Sequence, residues 1–123
     1  MAQRRSEPAK RATVADLLGK PRRTREVKLG DSVIVFGAIG SKAYDDLVAK
    51  HPPDKGDKEA SWNGETFPPA LIAASSVDPV IDEDTAVQLW ESDSWSRGEL
   101  MDLFTGVVKL NVEGLNTPFG DSA

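Results

Sequence analysis

The chain has 123 residues, of which 39% are hydrophobic and 28% are charged, and its formal net charge is −5. These values are typical of a single small globular domain. The absence of cysteine excludes a disulfide framework, a thiolate metal site and a cysteine nucleophile. No apolar run approaches the roughly 18 residues that indicate a membrane span, and Met1–Lys10 lack the apolar segment of a secretory signal. We therefore expect a cytosolic protein.

Charge is distributed unevenly along the chain. Residues 1–28 contain nine Lys or Arg and three acidic residues, a net charge of +6, whereas the remainder contains six basic and seventeen acidic residues, a net charge of −11. Such a basic arm either contacts nucleic acid or an acidic partner, or is a solvated, partly disordered tail. We favour the tail, because the arm has no aromatic residue to stack on bases.

The N-terminal third predicts a short helix and a β-hairpin. Thr13 is placed to cap the helix, with Asp16 three residues later, and Gly19 ends it. Strand-forming residues then occupy Arg25–Ala38, interrupted by a turn signal at Gly30-Asp31.

Two helices are predicted in the middle of the chain. Ser41 is placed to cap the first, which ends at His51 because two prolines follow. A long polar loop, Asp54–Glu65, leads to the second. Pro68-Pro69 favours the first turn of that helix, and its apolar pattern continues to Val77.

The last third of the chain predicts two more helices. Asp82 is placed to cap a short one. Ser96 and Glu99 form an S-x-x-E capping box that starts the final helix, and Trp95 and Leu100 have the spacing of a hydrophobic staple. An apolar stripe follows the cap.

Together these elements predict an α+β, mainly helical fold, in which one N-terminal β-hairpin is followed by about four helices on a single core. We expect residues 1–24 to form a basic, partly disordered arm that includes the short helix. Residues 25–113 are expected to form one globular domain, and residues 114–123 a flexible tail.

The sequence gives no support for catalysis. Gly37–Lys42 is similar to a phosphate-binding loop, but only two residues separate its glycines, where four are needed. His51 is the only histidine, so a two-histidine metal motif is excluded. Asp82-Glu83-Asp84 lacks the ligand spacing of a calcium loop, and Ser75-Ser76 lacks the glycine elbow of a hydrolase. We therefore expect a protein that is not an enzyme and has no metal or cofactor.

Three tryptophans remain as candidate binding residues. Trp90 and Trp95 join helical apolar patterns, which favours positions in the core. Trp62 stands in a polar loop, where it either folds back onto the core or contacts a partner, since tryptophan is enriched in binding hot spots.

The order of several segments links the chain to a family. These segments are Phe36–Leu47, His51-Pro52-Pro53, Trp62–Ala74, the acidic stretch leading to Leu89-Trp90, and Trp95–Glu99. In this order and spacing the chain resembles the tail assembly chaperones of siphoviruses that infect actinobacteria, and the related prophage proteins. The resemblance covers Val33–Asn111 and leaves out the basic arm.

The resemblance implies a protein made in the host bacterial cytoplasm. It implies binding to the tape measure protein, support of tail-tube assembly and absence from the mature virion. Further implied partners are a frameshifted longer form of the protein itself and the tail tube protein, and self-association stays open. A membrane is not expected as a partner, and the sequence argues against nucleic acid. The rival hypotheses are a structural tail-completion or connector protein, and a nucleic-acid-binding regulator that uses the arm.

A tape measure protein is a long helical chain with apolar stripes, so we expect a groove that covers such a stripe. The candidate partner-binding residues are large and apolar, and each is equally a candidate for the core: Trp62, Phe67, Leu71, Trp90, Trp95, Leu100 and Phe104.

Overall fold

The fold is given by a computed structural model that describes residues 11–115. Within that range the elements are α1 (Val14–Leu18), β1 (Thr24–Leu29), β2 (Ser32–Gly37), α2 (Ser41–Lys50), α3 (Phe67–Ser75), β3 (Ser76–Asp78), α4 (Glu83–Trp90) and α5 (Arg97–Val112). The predicted α+β fold with an N-terminal hairpin is confirmed. The predictions of disorder for Met1–Lys10 and Asn116–Ala123 lie outside the described residues.

The hairpin pairs β1 and β2 in an antiparallel ladder that places Val27 opposite Ile34. Gly30 adopts a φ of 63° in the two-residue turn, a conformation that glycine reaches without a Cβ clash. Ile34 and Phe36 are buried, because alternate residues of a strand point to the same face of the sheet. The hairpin thus presents one face to the helices.

A third strand corrects the sequence prediction for the middle of the chain. The helix expected to reach Val77 ends at Ser75, and β3 pairs with β2 in the order β1-β2-β3. Pro79 disfavours a helical conformation at Asp78, and the edge of β2 offers backbone partners to an extended segment. The Ser76 hydroxyl donates to the Ala73 carbonyl at 2.8 Å, which closes the end of the helix.

The core lies between the sheet and the helices. α3 is buried along most of its length and contacts α2, α4, α5 and β2. Pro68 and Pro69 lie in its first turn as predicted. The fully buried large apolar side chains come from β2, α3 and α5: Phe36, Phe67, Leu71, Ile72, Val107 and Leu110.

Three of the four predicted N-cap residues are confirmed. Thr13, Asp82 and Ser96 each accept a hydrogen bond from a backbone N–H in the first turn. The prediction for Ser41 is wrong, because Gly40 is the N-cap and Ser41 is the first helical residue. The chain enters α2 in an extended conformation at Gly40, whose carbonyl accepts from the Tyr44 N–H, so the first turn closes one residue earlier.

We expect removal of the two capping boxes to have unequal effects on stability. Ser96→Ala should lower the free energy of unfolding by about 1 kcal/mol, because Ser96 caps a helix that supplies five core residues. Thr13→Ala is the matched control, and it should leave global unfolding unchanged because α1 buries none of its residues. Urea titration of both variants measures the difference, and equal losses would show that α1 belongs to the cooperative unit.

Two arginines before β1 donate hydrogen bonds to backbone carbonyls of distant segments. Arg23 Nη1 donates to the carbonyls of Glu113 at 2.8 Å and Gly114 at 3.1 Å, just beyond the last turn of α5. Arg22 Nε donates to the Ala38 carbonyl at 2.9 Å. Both residues lie in the segment that the sequence assigned to a separate arm, so the ordered body includes residues before Arg25.

Asn111 joins three parts of the fold. Its Oδ1 accepts from the Ile39 N–H at 2.8 Å, and its Nδ2 donates to Ser75 Oγ at 3.2 Å and to the Val107 carbonyl at 2.9 Å. Ser75 is fully buried. The amide therefore connects α5 to α3 and to the segment that follows β2.

Asn111→Ala should lower the free energy of unfolding by about 2 kcal/mol, because it removes one partner each from the Ile39 N–H and the Ser75 hydroxyl. Asn111→Asp keeps the acceptor for Ile39 but loses both donated bonds, so we expect it also to be destabilising. Urea denaturation followed by circular dichroism tests the pair. Wild-type stability in Asn111→Ala would contradict this account.

Candidate functional site

The residues considered for catalysis have structural partners. His51 Nδ1 lies 2.9 Å from Thr66 Oγ1, and His51 Nε2 lies 4.0 Å from Glu83 Oε2. The Asp82 carboxylate accepts from the Thr85 N–H at 2.8 Å, and this hydrogen bond lowers the pKa of Asp82. Within residues 11–115 no group of three His, Asp or Glu side chains is placed to hold a metal.

Four of the predicted partner-binding residues are buried. Phe67 and Leu71 have no exposed surface, and Leu100 and Phe104 are 7% and 5% exposed. Their side chains form the core, so the expected groove is not an open surface made of these residues. This corrects the sequence-based placement of that surface.

Trp62 folds back onto the core. Its ring stacks on Phe67 with centroids 4.7 Å apart and meets Phe104 edge-on at 5.3 Å. Tyr44 contacts Phe67 from another direction, edge-on at 6.0 Å. Partial burial, with a contribution from the charge of Asp45, raises the pKa of Tyr44. Of the two interpretations left open for Trp62, the structure shows packing on the core.

Trp90 and Trp95 differ from the buried residues, because each is only partly buried and each forms the wall of surface cavities. Trp90 packs edge-on against Phe104 at 6.1 Å, which fixes its ring on the core. Trp95 immediately precedes the capped start of α5 and also packs against the core. The two rings are thus held by the fold while part of each faces outward.

Three cavities adjoin at these rings. A cavity of about 340 Å³ shares Trp90 and Glu91 with a second of about 320 Å³, and the second shares Trp95 with a third of about 290 Å³. We call the three cavities, with Trp90 and Trp95 between them, the tryptophan groove. It extends from the start of α3, past α4 and the N-terminal part of α5, to β1.

The two ends of the tryptophan groove differ in charge. Glu65, Glu83 and Glu91 line the first cavity, whose apolar wall is formed by Val87 and Trp90. No Lys or Arg lines that cavity. The third cavity is lined by residues of both charges, Arg25 and Lys28 from β1 and Glu99 and Asp102 from α5. The groove is therefore acidic at one end and mixed at the other.

Sequence reasoning identified Trp90 and Trp95 but missed the rest of the groove. The sequence predicts the short helix that follows Asp82, but it does not show that Glu83 and Val87 of that helix line a cavity. The third cavity brings β1 beside α5, although the two are separated by more than sixty residues of chain. The only local signal is the pair of tryptophans five residues apart, on either side of a helix break.

None of the helices within residues 11–115 combines the length and apolar composition that crossing a bilayer requires. Comparison of the chain with protein-family models, with curated proteins and with solved structures gives no match.

Proposed function

We propose that this chain is a tail assembly chaperone of a siphovirus or prophage, which binds its tape measure protein in the host bacterial cytoplasm and is absent from the mature virion. The assignment to this class rests on the sequence resemblance across Val33–Asn111. The structural observation that carries a binding role is the tryptophan groove, in which two partly exposed indole rings separate three adjoining cavities.

The groove suits an amphipathic helix. Such a helix presents side chains at positions i, i+3 or i+4, and i+7, and these can enter successive pockets along a groove. Trp90 and Trp95 offer wide apolar walls that lose little conformational entropy on binding, since each side chain already packs against the core. The acidic first cavity favours a client helix with a Lys or Arg near its apolar stripe.

The same geometry argues for modest affinity at each site. The apolar part of the groove is short, and its rims carry several charges that stay hydrated. A long tape measure protein offers many similar stripes, so many copies of the chain cover it together. Weak single sites also allow release as the tube forms. A longer frameshifted form of the protein and the tail tube protein are the further partners of this proposal.

Two other functions are weighed against this one. β1 is an edge strand in the described sheet, and an edge strand could add to the sheet of a neighbouring virion protein. That feature favours a structural tail-completion or connector role. A nucleic-acid-binding regulator is less favoured, since Arg22 and Arg23 donate hydrogen bonds to carbonyls of the domain itself.

Co-purification separates the proposals. Co-expressed with the tape measure protein of the same virus, the chain should co-purify with it and should be missing from purified virions. Fixed-copy presence in virions would instead establish the structural role. Binding to DNA that is lost as salt rises and after removal of residues 1–10 would establish the nucleic-acid role.

A further inference from the structure

α1 is an apolar helix that lies on the surface of its own chain. Val14, Leu17 and Leu18 are 70%, 68% and 84% exposed, and no residue of α1 is buried. The helix nevertheless has a capping box at its N-terminus. The Asp16 N–H donates to Thr13 Oγ1 at 3.1 Å, and the Thr13 N–H donates to Asp16 Oδ2 at 2.9 Å. A capped helix with uncovered leucines has the features of a docking segment.

The charge around α1 complements the tryptophan groove. Arg11 and Lys20 flank the helix on either side and both are exposed, and the sequence before Arg11 adds further basic residues. The first cavity of the groove is lined by Glu65, Glu83 and Glu91, with Trp90 as its apolar wall. A basic segment with an apolar helix therefore matches an acidic cavity with an aromatic wall.

The anchoring of the segment limits how far α1 can reach along the groove of its own molecule. Arg23 is tied to carbonyls just beyond the C-terminal end of α5, whereas Arg97, at the other end of that helix, lines the second cavity. The sixteen residues of α5 extend about 24 Å. The chain from Leu18 to Arg23 spans at most about 17 Å. Arg25, two residues after Arg23, lines the third cavity, so within one molecule α1 starts beside the end of the groove with mixed charge. The acidic first cavity, which the basic flanks of α1 match, lies at the other end, and α1 is not buried against its own chain.

We propose that α1 of one copy docks through Leu17 and Leu18 into the tryptophan groove of a second copy, so that the protein self-associates in the absence of a client. The inference uses the groove of the proposed function but does not depend on which client that groove binds. Apolar burial supplies the attraction, and the opposite charges set the orientation and make the association sensitive to salt.

Sedimentation equilibrium of the full chain over a wide concentration range tests the proposal. The wild type should associate, and the double variant Leu17→Gln, Leu18→Gln should have a dissociation constant at least about tenfold higher, the effect expected for one buried leucine. Val80→Gln is the matched control, because Val80 is 76% exposed and lies outside both α1 and the groove. It should associate as the wild type does.

Tryptophan fluorescence supplies a second measurement on the same samples. Emission should shift to shorter wavelength as the wild-type concentration rises, because docking covers Trp90 and Trp95, and the double variant should lack this shift. A wild type that stays monomeric, or a double variant that associates equally well, would overturn the proposal. A difference in emission between the double variant and the wild type, at dilutions where the wild type is monomeric, would also overturn it. Such a difference indicates that α1 docks within one chain. None of these results decides whether the groove binds a tape measure protein.

Discussion

Phe67→Ala is expected to lower the free energy of unfolding by about 4 kcal/mol, the largest loss that we anticipate for a single substitution in this chain. Phe67 is fully buried at the start of α3, where its ring contacts four other rings. The centroid distances are 6.0 Å to Tyr44, 6.2 Å to His51, 4.7 Å to Trp62 and 6.2 Å to Phe104. Truncation leaves a cavity that these rings cannot all fill.

A loss of that size approaches the whole stability of a small domain, so the variant should be partly unfolded without denaturant. Val80→Ala is the control, since Val80 is 76% exposed and its truncation should change stability little. Urea titration followed by tryptophan emission is suitable, because Trp62 stacks directly on Phe67. A loss of less than about 1 kcal/mol would show that Phe67 is not at the centre of the core.

Local features of the fold were predictable because their causes lie within a few residues. The turn at Gly30-Asp31 needs one glycine with positive φ, and the sequence places it between two strand-forming segments. The boxes at Thr13 and Ser96 depend on a partner three residues away. These signals identify element starts and turns directly.

The third strand was not predictable from local signals. The sequence before Pro79 has an apolar helical pattern, and nothing within it marks Ser76 as the start of a strand. The strand forms because β2 is beside it and offers backbone partners, a contact between segments about forty residues apart. Helix and strand therefore compete at this position, and tertiary pairing decides the outcome.

The candidate site likewise depends on contacts between distant segments that local sequence signals do not reveal. A large apolar residue on a helix serves equally well in the core or at a binding surface, and sequence alone does not say which side of the helix is covered. Phe67 and Leu71 proved to be buried, whereas Val87, on the neighbouring helix α4, is 36% exposed. The groove exists only once α4, α5 and β1 have been brought together.

A substitution at Val87 should change the groove while leaving the fold stable. Val87→Lys removes an apolar wall of the first cavity and places a positive charge in the part lined by Glu83 and Glu91. Both glutamates lie four residues from Val87, Glu83 in the first turn of α4 and Glu91 at its C-cap, so the new lysine pairs favourably with them and the helix should keep its stability. Val80→Lys adds the same charge at an exposed position outside the groove.

The most direct test is the fraction of tape measure protein that stays soluble when it is expressed alone, with the wild-type chain, with Val87→Lys or with Val80→Lys. Circular dichroism first establishes that both variants are folded. We predict that the wild type and Val80→Lys keep the tape measure protein soluble and co-purify with it, whereas Val87→Lys leaves most of it insoluble, because the apolar stripe of the client is no longer covered. A tape measure protein that is equally soluble without the chain, or is protected by Val87→Lys as well as by the wild type, would contradict the proposal that the tryptophan groove binds it.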